Sequence, residues 1–152
     1  MKKLLLLPIL LICFTVSAQK REKAMAELQK LMDKAEGQIY SYYPYGTYKV
    51  IKQGLSDEAI TMTAEDQKYM EEKINKTSKI PWDKLTDVYV ETFKNNADIV
   101  ELRLEFTEDF TFESYDIDET SDDDPSEGNL ASIFILASDQ DKAWKYAWKL
   151  KK

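Results

Sequence analysis

The sequence predicts an α+β fold: an antiparallel, barrel-like sheet with an N-terminal helix and a C-terminal capping helix. Three observations carry this. Apolar residues recur at helical spacing from Lys20 to Glu36. From Ile80 onward the pattern switches to period two, with Val100, Leu102, Leu104 and Phe106 on one side and Glu101, Arg103 and Glu105 on the other. The end of the chain places acids at Asp139 and Asp141 and bases at Lys149, Lys151 and Lys152, which complements a helix dipole.

A leader precedes the folded part. Lys2 and Lys3 give a positive start, and Leu4 to Val16 is mostly apolar but too short to span a bilayer. Val16-Ser17-Ala18 offers small residues for a signal peptidase, so residues 1–18 read as a secretory signal cleaved before Gln19. A lipoprotein signal acylated at Cys13 would need a small residue before the cysteine, where Ile12 stands. The chain has 152 residues and net charge −7, so removing 18 residues with Lys2 and Lys3 leaves 134 residues at −9. The rest, 19–152, reads as one α+β domain, exported to the periplasm or the medium. It keeps no cysteine, so its own core must hold it without disulfides.

The elements follow in order. In the first helix Ala24, Leu28, Leu31, Met32 and Ala35 form the apolar stripe, and Gly37 stands where a helix C-terminal glycine belongs. Pro44 and Gly46 mark a turn within the tyrosine-rich stretch, followed by a strand over 47–53. A turn at 54–57 leads to a short strand over 58–62. Thr63 resembles a helix N-cap, with Glu65 and Asp66 in the first turn, predicting a helix to about Lys76. Strands are expected over 85–93 and 99–106, joined by a turn at Asn95-Asn96, and over 110–117 after a turn at Thr107-Glu108-Asp109. An acidic loop spans 118–128. The continuous apolar run from Leu130 to Ala137 predicts a strand covered on both faces. Ser138 is the expected cap of the last helix.

The order Ile80-Pro81-Trp82-Asp83-Lys84-Leu85, a meander, Phe134-Ile135-Leu136-Ala137-Ser138 and a helix carrying Trp144 resembles the back half of a pleckstrin-homology-like domain, over 80–152. The resemblance implies a small bent antiparallel barrel closed at one end by the C-terminal helix, and a binding or scaffold role. The first half departs from that pattern through its extra N-terminal helix and the helix read over 63–76. Phosphoinositide-binding members use a basic cluster around the first hairpin. Here Lys49 and Lys52 are followed by Asp57 and Glu58, so no phosphoinositide site is expected.

Composition closes several chemistries. Without histidine there is no histidine base, triad or metal ligand. Zinc sites with nitrogen or sulfur ligands and cysteine nucleophiles are excluded after cleavage. Four scattered glycines make no phosphate-binding loop. The acidic balance argues against nucleic acid and against anionic lipid surfaces. No transmembrane segment is expected after cleavage.

Two clusters are left. Asp116, Asp118, Asp122, Asp124 and Glu127 supply the oxygen ligands that Ca²⁺ prefers. Asp116, Asp118, Thr120, Asp124 and Glu127 fall at positions 1, 3, 5, 9 and 12 of a helix-loop-helix calcium motif, but Ser121 replaces its glycine. The plainer reading is a solvated, self-repelling loop. Tyr40, Tyr42, Tyr43, Tyr45 and Tyr48 could form a contact surface for a protein or carbohydrate, or in part simply fill the core. Trp82, Trp144 and Trp148 read as packing, and Asn75-Lys76-Thr77 as a bare glycosylation sequon. The expected function is a non-enzymatic binding or interaction module. The alternative is a carboxylate hydrolase acting on carbohydrate or peptide, which needs two acids about 5–10 Å apart across a pocket.

Overall fold

The computed structural model describes the backbone of residues 6–116 and 125–151, and side chains over 19–114 and 125–151. The fold is α+β: a curled antiparallel half-barrel with one helix before it and one after. The strands are β1 (Ile39–Tyr42), β2 (Gly46–Leu55), β3 (Ala59–Asp66), β4 (Glu71–Ser78), β5 (Leu85–Phe93), β6 (Asn96–Asp116) and β7 (Ser126–Leu136). They pair in the order β1-β2-β3-β4-β6-β5, with β7 on the other edge of β6.

The first helix, α1 (Leu6–Asp33), begins well before Lys20. The leucine-rich run ahead of it is itself a good helix former, and no glycine or proline interrupts the join. Ala24, Met25, Leu28, Leu31, Met32 and Ala35 are buried, so the expected stripe does dock on the sheet. Gly37 adopts φ +83° and its N–H donates to the Val50 carbonyl at 2.7 Å. Only glycine takes that backbone conformation without strain.

Residues 63–76 correct the sequence reading. They form a hairpin, β3 and β4, with Asp66 opposite Glu71 and Ala59 opposite Ser78. Asp66, expected in a helical first turn, instead accepts from the N–H groups of Lys68 and Tyr69 through Oδ1, at 2.8 and 3.2 Å. That is an aspartate-built turn. A stripe of only Tyr69, Met70 and Ile74 could not bury a helix, whereas β3 gains partners in β2 and β4, and β4 in β3 and, from Lys73 on, in β6.

β6 is the second correction. The turn expected at Thr107-Glu108-Asp109 is absent, and one 21-residue strand runs through. The three residues are exposed, and the register against β7 shifts between Glu105 and Phe110. Extra residues there make a bulge that bends the strand rather than ending it. The bend lets β6 pair with β5 along its first half and β4 along its second.

β7 is covered on both faces toward its C-terminal end, while nearer its start Leu130 is 39% exposed. Ala131, Ile133 and Ile135 join the larger core with α1, and with Ala143, Ala147 and Leu150 at the C-terminus. Phe134 points the other way, into a smaller cluster with Tyr40, Val50, Phe93 and Ile99. The last helix, α2 (Gln140–Trp148), follows a single 3-10 turn over Ala137–Asp139. Its N-cap position is held by Asp139, not Ser138. Asp139 instead ties the two helices together, pairing with Lys34 at 2.8 Å and Lys142 at 3.3 Å. No helix among the described residues is long and apolar enough to cross a membrane.

Candidate functional site

The side of the sheet away from the helices is concave. β1 to β4 curl over it and leave a cavity of about 650 Å³. One wall is aromatic: Tyr40, Tyr42, Tyr45 and Tyr48. The rest of the lining carries Met62, Phe112 and Leu130, together with Asn75, Thr77, Ser114 and Ser132. Inward positions alternate along each strand, so apolar and hydroxyl or amide groups line the same space.

Glu101 lies at the inner end. Alternation along β6 places it opposite the apolar stripe, where solvent was expected, yet it is only 2% exposed. The reason is β1, which arches over this part of β6 and brings the Tyr42 hydroxyl to donate to Glu101 Oε2. Arg103 Nε is 3.2 Å from the same oxygen, though its N–H is not aimed along that line. Arg103 Nη1 donates to Glu91 at 3.2 Å, and Nη2 to the Tyr42 hydroxyl at 3.5 Å. One guanidinium is thus shared by two carboxylates that face each other across β5 and β6. Burial, and then the bond to Glu101, push the Tyr42 phenol above the ordinary tyrosine range. Burial does the same to Tyr40. Burial works against the charge on Arg103, but its bonds to Glu101 and Tyr42 together outweigh this and hold it more firmly protonated.

A second cleft of about 710 Å³ lies on the far side of Tyr42, between the β1–β2 and β5–β6 turns. It is lined by Tyr43, Pro44, Glu91 and Lys94 among others, and shares Tyr42 and Glu101 with the first. Its two acids are cross-strand neighbours on one wall, both bound to Arg103. They do not flank the cleft from opposite sides as a two-carboxylate hydrolase requires.

The five tyrosines separate by alternation and by the turn. Tyr40 is core, stacked on Phe134 with ring centroids 4.5 Å apart. Tyr42 and Tyr48 are half-buried and line the cavity. Tyr45 stands at its mouth, 78% exposed, and Tyr43 is 97% exposed beside the second cleft. The residue between them, Pro44, follows a cis peptide bond.

Of the calcium candidates, Asp118, Asp122 and Asp124 lie outside the described residues. Asp116 belongs to β6, and Glu127 is exposed on β7 opposite Thr111. Among the described residues no group of three or more acids or cysteines is arranged to hold a metal ion. Asn75 of the sequon lines the cavity. Trp82 is buried and its indole N–H donates to the Asp57 carbonyl at 2.9 Å, while Trp144 is 42% exposed and donates to Val88 at 2.7 Å.

Sequence reasoning missed Glu101, Arg103 and Gln53. Gln53 is a buried amide of β2 that reaches the outer edge of β7. Its Nε2 donates to the carbonyls of Phe134 and Met32, at 2.8 and 3.2 Å, and its Oε1 accepts from the Phe134 N–H at 2.8 Å. The side chain thereby pairs with Phe134 as a neighbouring strand would, and holds β2 across the open side of the half-barrel. The available signal was a polar residue next to Gly54 in an otherwise paired strand, which has many bland explanations. Comparison with protein-family models, with curated proteins and with solved structures found no match to this chain.

Proposed function

We propose that this chain is an exported, non-enzymatic binding module of pleckstrin-homology-like architecture, and that the concave cavity is its ligand site. The observation that carries the reading is the cavity itself. Its volume of about 650 Å³ falls within the range usual for small-molecule pockets, about 300–1,000 Å³. It is mostly apolar and aromatic, with a few fixed polar groups, the composition such pockets have. The half-barrel with its C-terminal helix is compatible with the family resemblance, and the β3–β4 hairpin removes one of the two departures from it. Export rests on the Lys2-Lys3 start, the short apolar run and Val16-Ser17-Ala18.

The test is saturation-transfer NMR with small amphipathic molecules on the mature chain and on Leu130→Trp. Leu130 is 39% exposed on the cavity wall, so tryptophan there fills the space with little cost to the fold. Binders should appear on the wild type and vanish in the variant. Binders that persist unchanged place the ligand elsewhere. N-terminal sequencing of exported protein should begin at Gln19.

A further inference from the structure

We propose that the cavity takes a small organic ammonium: an amine-bearing ligand whose charge meets Glu101 and whose apolar body lies against Tyr48, Met62, Phe112 and Leu130. This rests on the reading of the cavity as a ligand site and adds the ligand's chemistry. Three observations point to it.

The first is the open oxygen. The partners of Glu101 all meet Oε2: the Tyr42 hydroxyl and Arg103 Nε. Among the described residues none lies on Oε1, although the residue is almost wholly buried and borders the cavity. Oε1 keeps a little access to solvent, so a ligand entering the cavity can bring a donor to it in place of water. The second is charge. Glu91 and Glu101 share the single Arg103 guanidinium, so the group carries one negative charge in excess. A cationic donor is therefore favoured over a neutral hydroxyl, and an anion is repelled. The third is the wall. Tyr40, Tyr42 and Tyr48 cluster around that end, with Tyr40–Tyr42 and Tyr40–Tyr48 centroids 5.8 and 5.7 Å apart. Ring faces attract ammonium groups and exclude the water that would weaken the pairing. Lys73 also lines the cavity, but it stands opposite Asp116, at the far end of β6 from Glu101. The cation sits at the Glu101 end.

The experiment compares three probes of matched body and different charge: hexylammonium, hexan-1-ol and hexanoate. Each is titrated at neutral pH by NMR into wild type, Glu101→Gln and Leu130→Trp. Hexylammonium should bind wild type at least about tenfold more tightly than hexanol, and hexanoate most weakly. Glu101→Gln should bring ammonium and alcohol to within about twofold, while Leu130→Trp should abolish binding. The charge series on wild type decides the matter even if Glu101→Gln unfolds. Hexanol or hexanoate binding as tightly as hexylammonium overturns the ammonium assignment and leaves the cavity as the site. Failure of all three, or binding untouched by Leu130→Trp, overturns the cavity reading with it.

Discussion

Gln53→Leu tests what closes the half-barrel. The variant keeps nearly the same volume, so cavity effects stay small and the lost polar contacts dominate. Three hydrogen bonds go, at 2.8, 2.8 and 3.2 Å, all from a side chain that is 2% exposed. Each is worth about 1 kcal/mol net, and leaving buried main-chain groups of Phe134 unpaired raises the cost, to about 3–5 kcal/mol in all. Urea unfolding should show the midpoint falling at an unchanged slope, because the surface exposed on unfolding is the same. Hydrogen exchange at the Phe134 amide should accelerate by about 100-fold or more, the equivalent of roughly 3 kcal/mol. A useful control is Gln29→Ala. Its side chain also bridges main-chain groups, donating to the Gln53 carbonyl at 2.9 Å and accepting from the Leu55 N–H at 2.7 Å, but at a partly exposed site. It should cost about 1 kcal/mol. If Gln53→Leu also costs no more than about 1 kcal/mol, with Phe134 still protected, the side chain is not what joins β2 to β7.

Other outcomes follow from individual contacts. Tyr42→Phe removes the hydroxyl that donates to buried Glu101 and should destabilise by about 1.5–3 kcal/mol in thermal or urea melts, as bonds to charged groups do. Tyr40 and Tyr42 ionise above the ordinary range when folded. Their contribution is therefore intact below the unfolded tyrosine value of about 10 and is lost as pH rises beyond it, which urea midpoints at alkaline pH would register. Hydrogen bonding to Lys34 holds the Asp139 carboxyl below its usual value. Its contribution is present above about pH 4 and disappears as pH falls through the lowered value. Lys34→Ala should thus cost about 0.5–1 kcal/mol at pH 7 and nearly nothing once the pH has fallen below that lowered value. Met70 adopts φ +60° in the β3–β4 turn with its side chain 67% exposed, so Met70→Gly should leave urea stability unchanged or raise it by about 0.5 kcal/mol.

The helix-facing side of the sheet was legible in the sequence. Val100, Leu102, Leu104 and Phe106 are all buried, as alternation alone predicts, and the Leu130–Ala137 run forms a strand to Leu136 whose two faces are both covered only toward its end, since Leu130 and Ser132 line the cavity. The charges at Asp141, Lys149 and Lys151 flank the final helix as their dipole preference requires. What was not legible depended on contacts distant in sequence. The 63–76 segment has no strong pattern of either period, and its cap-like Thr63 outweighed its poor apolar stripe until pairing with β2 and β6 decided it. Thr107-Glu108-Asp109 looks like a turn by polarity, but a bulge tolerates the same residues. Gln53 serves as a strand partner only because β2 crosses the edge of β7, eighty-one positions away in the chain.

The candidate site follows from the same curvature. On a flat sheet Glu101 and Arg103 would face water, and their alternation with Leu102 and Leu104 would mean no more than an outer surface. The bulge after Glu105 bends β6, and that bend lets β4 join its second half while β1 comes to lie over its first. The outer surface thereby becomes the wall of a cavity. Its polar groups lose solvent, and the fold must supply partners: Tyr42 from β1 reaches Glu101, and Arg103 divides its guanidinium between Glu101 and Glu91. These partners all meet one carboxylate oxygen, and Glu101 borders the cavity and the second cleft alike. Leu102→Gln and Glu101→Leu separate the two sides. The first, on the helix-packed face, should destabilise by several kcal/mol through an unpaired buried amide (about 3–5). The second leaves the Tyr42 hydroxyl and the Arg103 guanidinium without their shared partner, so it should cost at least as much as Tyr42→Phe, about 3 kcal/mol, while removing any preference for cations. A Glu101→Leu variant that still prefers hexylammonium to hexanol would show that the carboxylate is not what the ligand meets.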